Sequence, residues 1–305
     1  MQKGRTKSKL ESNKNFWDNG SWLVVVGWIS WIVVAFFLGS IVVALGLTAL
    51  LYAGVMDDKW STDTATVTVV NTMVYVMILL IALLPWWVRQ RRASRTVVDS
   101  KKSLAKAEAT IDKKQKPRKE SDKKKPAEKQ NMRKAVAELV GLSRWPKWND
   151  FSKFLTYIPV YYVTLLASSF TLTLVLIALL GGETATEILG QEQNVGFATT
   201  GQSMWQLVLI GFSLIIVAPV AEEMLTRGFL FGRLRKYLSF WPVAIIVSIV
   251  FALAHGQLNA GIMTFILSMF ACGLREKTGA IWAAIWLHML VNAVAFSLRF
   301  VVGVG

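Results

Sequence analysis

A chain of 305 residues that is 54% hydrophobic and 17% charged is not an ordinary soluble domain, which carries about a quarter charged residues. Its 13 Trp and 16 Phe suit lipid-facing and interfacial positions. The single cysteine, Cys272, excludes an intrachain disulfide and a Cys-based metal site. The formal net charge of +15 is concentrated in a few segments.

Apolar runs at 22–54, 65–88, 154–180, 204–232, 240–256, 258–274 and 278–300 are each near the roughly 20 residues that cross a bilayer. They predict an all-α, polytopic transmembrane bundle of about seven spans. The first run reads as one tilted or overlong helix, and it is too long for a secretory h-region, so it reads as an uncleaved signal anchor.

Lys3, Arg5, Lys7, Lys9 and Lys14 make residues 1–21 a basic tail. The loop "MDDKWSTDT" after the first span is acidic, and the second span ends in "RQRRASR". The loop 181–203 has Glu183, Glu187 and Glu192 without a basic residue. Arg233, Arg235 and Lys236 close the fourth span, and Arg275 and Lys277 the sixth. Lys and Arg mark cytoplasmic loops, so this pattern predicts a multi-pass cell-membrane protein with its N-terminus cytoplasmic and its C-terminus outside.

Residues 22–88 form an N-terminal transmembrane pair, 89–150 a Lys/Arg-rich cytoplasmic loop, and 151–305 the remaining core. The stretch "KKQKPRKESDKKKPAEKQ" lacks the apolar content to fold and is expected to be disordered. It could contact anionic headgroups, at about 1 kcal/mol per basic residue near the surface, or simply fix topology as a solvated loop. No nucleic-acid partner is expected, because no reading fold accompanies the charge. Beyond it, Met132, Val136, Leu139 and Val140 share one helical face before a Trp pair. That pattern suits an interfacial helix or an ordinary connector.

The fourth run holds Glu222, Glu223 and Arg227. Each such charge at a span centre costs about 2.5–3.5 kcal/mol. Glu223 and Arg227 are i and i+4 and can pair, whereas Glu222 is rotated about 100° away. The protein's two histidines, His255 and His288, both lie in apolar spans, with Phe251 four residues before the first and Asn292 four after the second. Rise per residue puts Glu222, His255 and His288 at comparable depths, each on the order of 15–22 Å from a span end.

A carboxylate and two neutral imidazoles are ligand types for a catalytic zinc; here they would be Glu222, His255 and His288. Alternatively, a buried carboxylate can activate water without a metal, with a histidine and an asparagine amide stabilising the oxyanion. Both routes point to hydrolysis of a carbonyl compound, here read as a peptide bond. There is no H-E-x-x-H pair and no G-x-S-x-G turn.

"EEMLTR" (222–227), "FALAH" (251–255) and "HMLVN" (288–292) together resemble the E-E-x-x-x-R, F-x-x-x-H and H-x-x-x-N motifs of the CPBP family, which comprises CAAX proteases, bacteriocin-processing enzymes and Abi or lysostaphin-resistance-type proteins. The resemblance covers about residues 150–305. It implies an intramembrane endopeptidase acting on a membrane-associated protein or peptide. Glu222 would activate water, Glu223 and Arg227 would support it, and His255, His288 and Asn292 would serve the water or metal and the oxyanion. The first two spans and the basic loop lie outside the family core. Two other classes remain: a non-catalytic immunity or scaffold protein, and a proton-coupled small transporter, which should show an internal repeat.

Overall fold

A computed structural model describes residues 21–54, 66, 68–84, 87–88, 137–138, 140–189, 203–256 and 258–302. Among the described residues the regular elements are all helices, with no strand. They are α1 (Ser21–Tyr52), α2 (Thr68–Leu84), α3 (Trp148–Leu180), α4 (Gly182–Leu189), α5 (Met204–Leu234), α6 (Phe240–Leu253), α7 (Leu258–Thr278) and α8 (Trp282–Phe296). Lipid offers backbone groups no hydrogen bonds, so long apolar runs satisfy their own as helices.

Among the described residues, four helical stretches are long and apolar enough to cross a membrane: Leu23–Tyr52, Trp148–Leu180, Met204–Leu234 and Trp282–Phe300. Thr68–Leu84 and Phe240–Leu253 are apolar but shorter. The expected sixth span, α7, carries Arg275, Glu276 and Lys277 near its end and joins neither group. Among the described residues each of the seven expected runs holds a helix, and four have the length and apolarity of a span. The first run is one continuous 32-residue helix, about 48 Å long. The third begins at Trp148, several residues earlier than its hydropathy indicates. The helix α4 falls in what reads from sequence as a plain loop.

Two clusters organise the core. In the first, Val25, Ile32 and Ala35 of α1 and Ala82 of α2 pack with Phe229, Leu230, Phe231 and Leu234 of α5 and with Val243, Ala244 and Val247 of α6. Trp28 meets Phe229 edge-on at 5.2 Å. The opposite face of α1 leaves Leu23, Phe37, Ile41 and Leu45 exposed, as suits a lipid-facing surface. In the second cluster, Tyr161 of α3 packs with Leu267 and Leu274 of α7 and Ala283 and Leu287 of α8.

The expected disordered stretch, with Met132, Val136 and Leu139, lies outside the described residues. Residues 140–147 form a docked connector. Val140 is buried, and Gly141, at φ +78°, accepts a hydrogen bond from Ile281 N at 3.3 Å. Arg144 donates to both Asp150 oxygens at 2.6 Å and to Thr278 O at 2.8 Å. Trp282 Nε1 donates to Arg144 O at 2.8 Å. These bonds fasten the start of α3 to the α7–α8 turn.

Candidate functional site

The site is built on α5, which is not a uniform α-helix. Ser213–Val217 and Met224–Leu230 wind as π turns around a short α segment, Ala218–Glu223. The amide of Ala218 bonds Ser213 O, five residues back, and that of Phe231 bonds Thr226 O. Pro219 lacks an amide hydrogen and fits the start of the α segment. Such π insertions are frequent at functional sites because they re-aim side chains. The Thr226 hydroxyl donates to Glu222 O at 2.6 Å, which anchors the backbone of the carboxylate pair.

Glu223 and Arg227 form the pair their spacing predicts, with Arg227 Nη1 2.9 Å from Glu223 Oε1 and both side chains 0% exposed. Arg227 Nη1 also donates to Thr226 Oγ1 at 2.8 Å. The guanidinium lies 4.7 Å over the Phe251 ring, a cation–π contact strengthened by its burial. From α8, His288 places Nδ1 3.0 Å from Glu223 Oε1 and Nε2 3.7 Å from Glu222 Oε2. Glu222 keeps 16% of its side chain exposed. Of the two carboxylates, it is the one with exposed surface.

Four of the six candidate residues therefore meet directly: Glu222, Glu223, Arg227 and His288. The other two do not join them. His255 is not within α6 but in the turn after it, before Gly256 at φ +70°. Its Nδ1 lies 2.8 Å from Phe251 O. Phe251 separates the two histidines, with ring centroids 4.9 Å from His255 and 5.8 Å from His288. Asn292 donates from Nδ2 to Leu214 O at 2.8 Å, so its amide braces the first π turn of α5. Among the described residues no hydrogen bond joins Asn292 or His255 to Glu222 or His288.

The zinc set Glu222, His255 and His288 is not assembled. Among the described residues no three His, Cys, Asp or Glu side chains are grouped to hold a metal. The sequence also gives no hint that either histidine has a supporting carboxylate, yet Glu223 fills that place for His288. Both rings hold Nδ1 against an oxygen, which leaves Nε2 as the ring nitrogen that can address a water or substrate.

One residue of the site escapes a motif-based reading. Tyr75 of α2 lies beside Glu222. The signal was present as a polar stripe, Thr68, Thr72 and Tyr75, at helical spacing in an apolar run. Without a partner to point at, such a stripe reads as an ordinary interhelical seam.

Residues 204–294 match the family described as Rce1-like, type II CAAX prenyl endopeptidase. That segment runs from α5 into α8 and holds all six candidate residues, while α1, α2 and α3 lie outside it. The resemblance carried by the three motifs thus rests on the whole segment between and around them. "Putative membrane peptidase YdiL" of Bacillus subtilis (strain 168) is 29% identical over 77 residues, which cover 25% of this chain and 32% of that protein. No solved structure matches.

Proposed function

We propose that the chain is an intramembrane endopeptidase in which Glu222 activates water for attack on a peptide bond of a membrane-associated protein or peptide. The observation that carries this reading is the division of labour between adjacent carboxylates. Glu223 is buried against Arg227 and His288, whereas Glu222 is partly open and faces His288 Nε2 at 3.7 Å. In the neutral tautomer that donates from Nδ1 to Glu223, Nε2 is an acceptor. Two acceptors at that separation are complementary to one molecule with two O–H groups. A water there would give its proton to Glu222 as its oxygen attacks the carbonyl carbon. His255, on the far side of Phe251, would donate to the developing oxyanion from Nε2 only as the doubly protonated ring, because Nδ1 already donates to Phe251 O. The proton held by Glu222 then passes to the leaving amine. No step is routed through a metal, because the donor set as placed does not fit three-ligand zinc.

The family description names CAAX prenyl endopeptidases, and a prenylated C-terminal peptide is the substrate class we infer for this site. Arg235 and Glu276 pair at 2.7 Å, and Arg144 bonds Thr278 O, so the basic ends of α5 and α7 and the connector gather at one end of the bundle. We place that end in the cytoplasm. Glu222, thirteen residues before Arg235, then lies about 20 Å deep.

The experiment is turnover of a fluorogenic peptide ending in a farnesylated Cys-aliphatic-aliphatic-X tail, with the unprenylated peptide in parallel. Glu222→Gln should fold and lose cleavage of both. Absence of wild-type turnover on either peptide, or full activity in Glu222→Gln, overturns the reading.

A further inference from the structure

We propose that Asn292 is a positioning residue: its amide replaces the backbone donor that α5 lacks at Pro219, and so holds the turn that aims Glu222. This rests on the reading of Glu222 as the base, and it changes the role that the motif resemblance implies for Asn292. In a helix each carbonyl accepts from the amide four residues on, or five on in a π turn. The carbonyl of Leu214 receives neither. The amide four residues on, that of Ala218, bonds Ser213 O instead. The residue five on is Pro219, which has no amide hydrogen. Asn292 Nδ2, reaching across from α8, donates to Leu214 O at 2.8 Å.

The same turn is held from a second side. Thr72 Oγ1 of α2 donates to Thr68 O at 2.9 Å. It lies 3.2 Å from Ser213 Oγ, and with its own hydrogen committed it is the acceptor there. The Ser213 hydroxyl, on a residue 2% exposed, is thereby turned toward α2 and away from the carbonyls of its own helix. Two successive residues of α5, Ser213 and Leu214, are thus fixed by two different helices. Pro219 is itself buried, so water does not replace the missing donor from that side.

Leu214 and Pro219 precede Glu222 by eight and three residues. A π turn holds one extra residue, which rotates everything after it by roughly 100° against what lies before. The first π turn of α5 therefore sets the direction in which Glu222 projects. Proline and π insertions are also where helices kink, and here the two coincide. Without the Asn292 amide, the turn is free to bend further or to relax toward α geometry, and Glu222 moves with it. A base misplaced by about 1 Å costs on the order of a hundredfold in rate. Asn292 thus acts through the backbone of α5 and does not touch the scissile bond.

The test compares wild type, Asn292→Ala, Pro219→Ala, the double variant and Glu222→Gln in the full chain, in detergent, on the farnesylated peptide. Asn292→Ala should lower kcat by about tenfold to a hundredfold with KM unchanged. Pro219→Ala returns an amide to position 219 and should keep wild-type kcat. In that background, adding Asn292→Ala should cost about twofold or less. An oxyanion donor would be lost equally in both backgrounds, so equal losses overturn the proposal while leaving Glu222 as base. Wild-type kcat in Asn292→Ala, or a loss that only tracks the folded fraction, overturns it too. Turnover by Glu222→Gln removes the base itself, and the positioning role with it. A second readout uses neither substrate nor the proline variant. Deuterium uptake of the α5 segment from Leu214 to Glu223 should be faster in Asn292→Ala than in wild type. Unchanged uptake overturns the proposal. Should Asn292→Ala fail to fold, Asn292→Leu, which keeps the branching without a donor, takes its place in both measurements, and where Pro219→Ala fails to fold the uptake decides alone.

Discussion

His288 and Glu223, 65 positions apart in the chain, share a 3.0 Å contact from Nδ1 to Oε1 in a fully enclosed site. Through it, the Glu223–Arg227 pair on α5 sets the ring orientation on α8. The pair therefore has both a structural and a positioning consequence. Arg227→Ala should leave a buried carboxylate unpaired, at about 3–5 kcal/mol. The expected outcome is a sharp fall in monodisperse protein by size exclusion and a lower melting temperature. Arg227→Lys should recover part of the yield. A melting temperature unchanged in Arg227→Ala would show that His288 alone satisfies Glu223.

Gly228, next to Arg227, should tolerate no side chain. An added Cβ would lie 2.1 Å from Val140 O and 2.4 Å from Val140 C. These are backbone atoms, held by Gly141 against Ile281, so the connector would have to lift off α5. Gly228→Ala should lower stability by about 1–3 kcal/mol. Gly232 is the control, because a Cβ there meets nothing within 4 Å. Gly232→Ala should be neutral or stabilising by about 0.5–1 kcal/mol. Equal melting temperatures for the two variants would refute the close approach.

At the basic end, hydrogen bonds from Arg235 hold Glu276 below the usual carboxylate range. A carboxylate lowered in the folded state contributes stability that is fully present above its unfolded value, about pH 4.3. That contribution is lost as pH falls through the lower folded value. The side chains of Arg235 and Glu276 are 30% and 38% exposed, so solvent screens the pair and the effect is small. Melting curves between pH 6 and 3 should show wild type losing more stability than Glu276→Gln. Parallel curves would mean that the pair contributes nothing to folding.

Much of this arrangement was legible in the sequence, because charge in an apolar run is conspicuous. Glu223 and Arg227 were paired by helical spacing alone, and the two histidines were the only ones available. The phase of α5 was not legible. Asn292 bonds Leu214 O, Thr72 meets the Ser213 hydroxyl and Thr226 bonds Glu222 O around its π turns, and hydropathy carries no trace of that. The position of His255 in a turn was hidden for a related reason. "FALAH" continues the apolar run, and the helix ends through Gly256 at positive φ, which hydropathy does not register. Tyr75 was hidden because its neighbour Glu222 is 147 positions away, and spacing rules reach only a few turns.

The zinc question turns on His255. Glu222 Oε2 and His288 Nε2, 3.7 Å apart, are near the separation of two donors that share one ion at about 2.0–2.2 Å. A third protein ligand would have to be His255. Its Nδ1 is committed to Phe251 O, and Phe251 stands between the two rings while also carrying Arg227 on its face. Bringing His255 to the ion requires moving the turn before Gly256 or displacing Phe251, and the second would expose the buried guanidinium. The glutamate route needs neither movement. We therefore expect turnover of the farnesylated peptide to survive exhaustive chelation, with metal content measured on the same sample. His255→Ala should then lower kcat as loss of a doubly protonated imidazole donor at the oxyanion does, by about a hundredfold, without changing metal content. Activity lost on chelation and restored by one equivalent of zinc, with His255→Ala abolishing the restoration, would establish the metal route and require that turn to close.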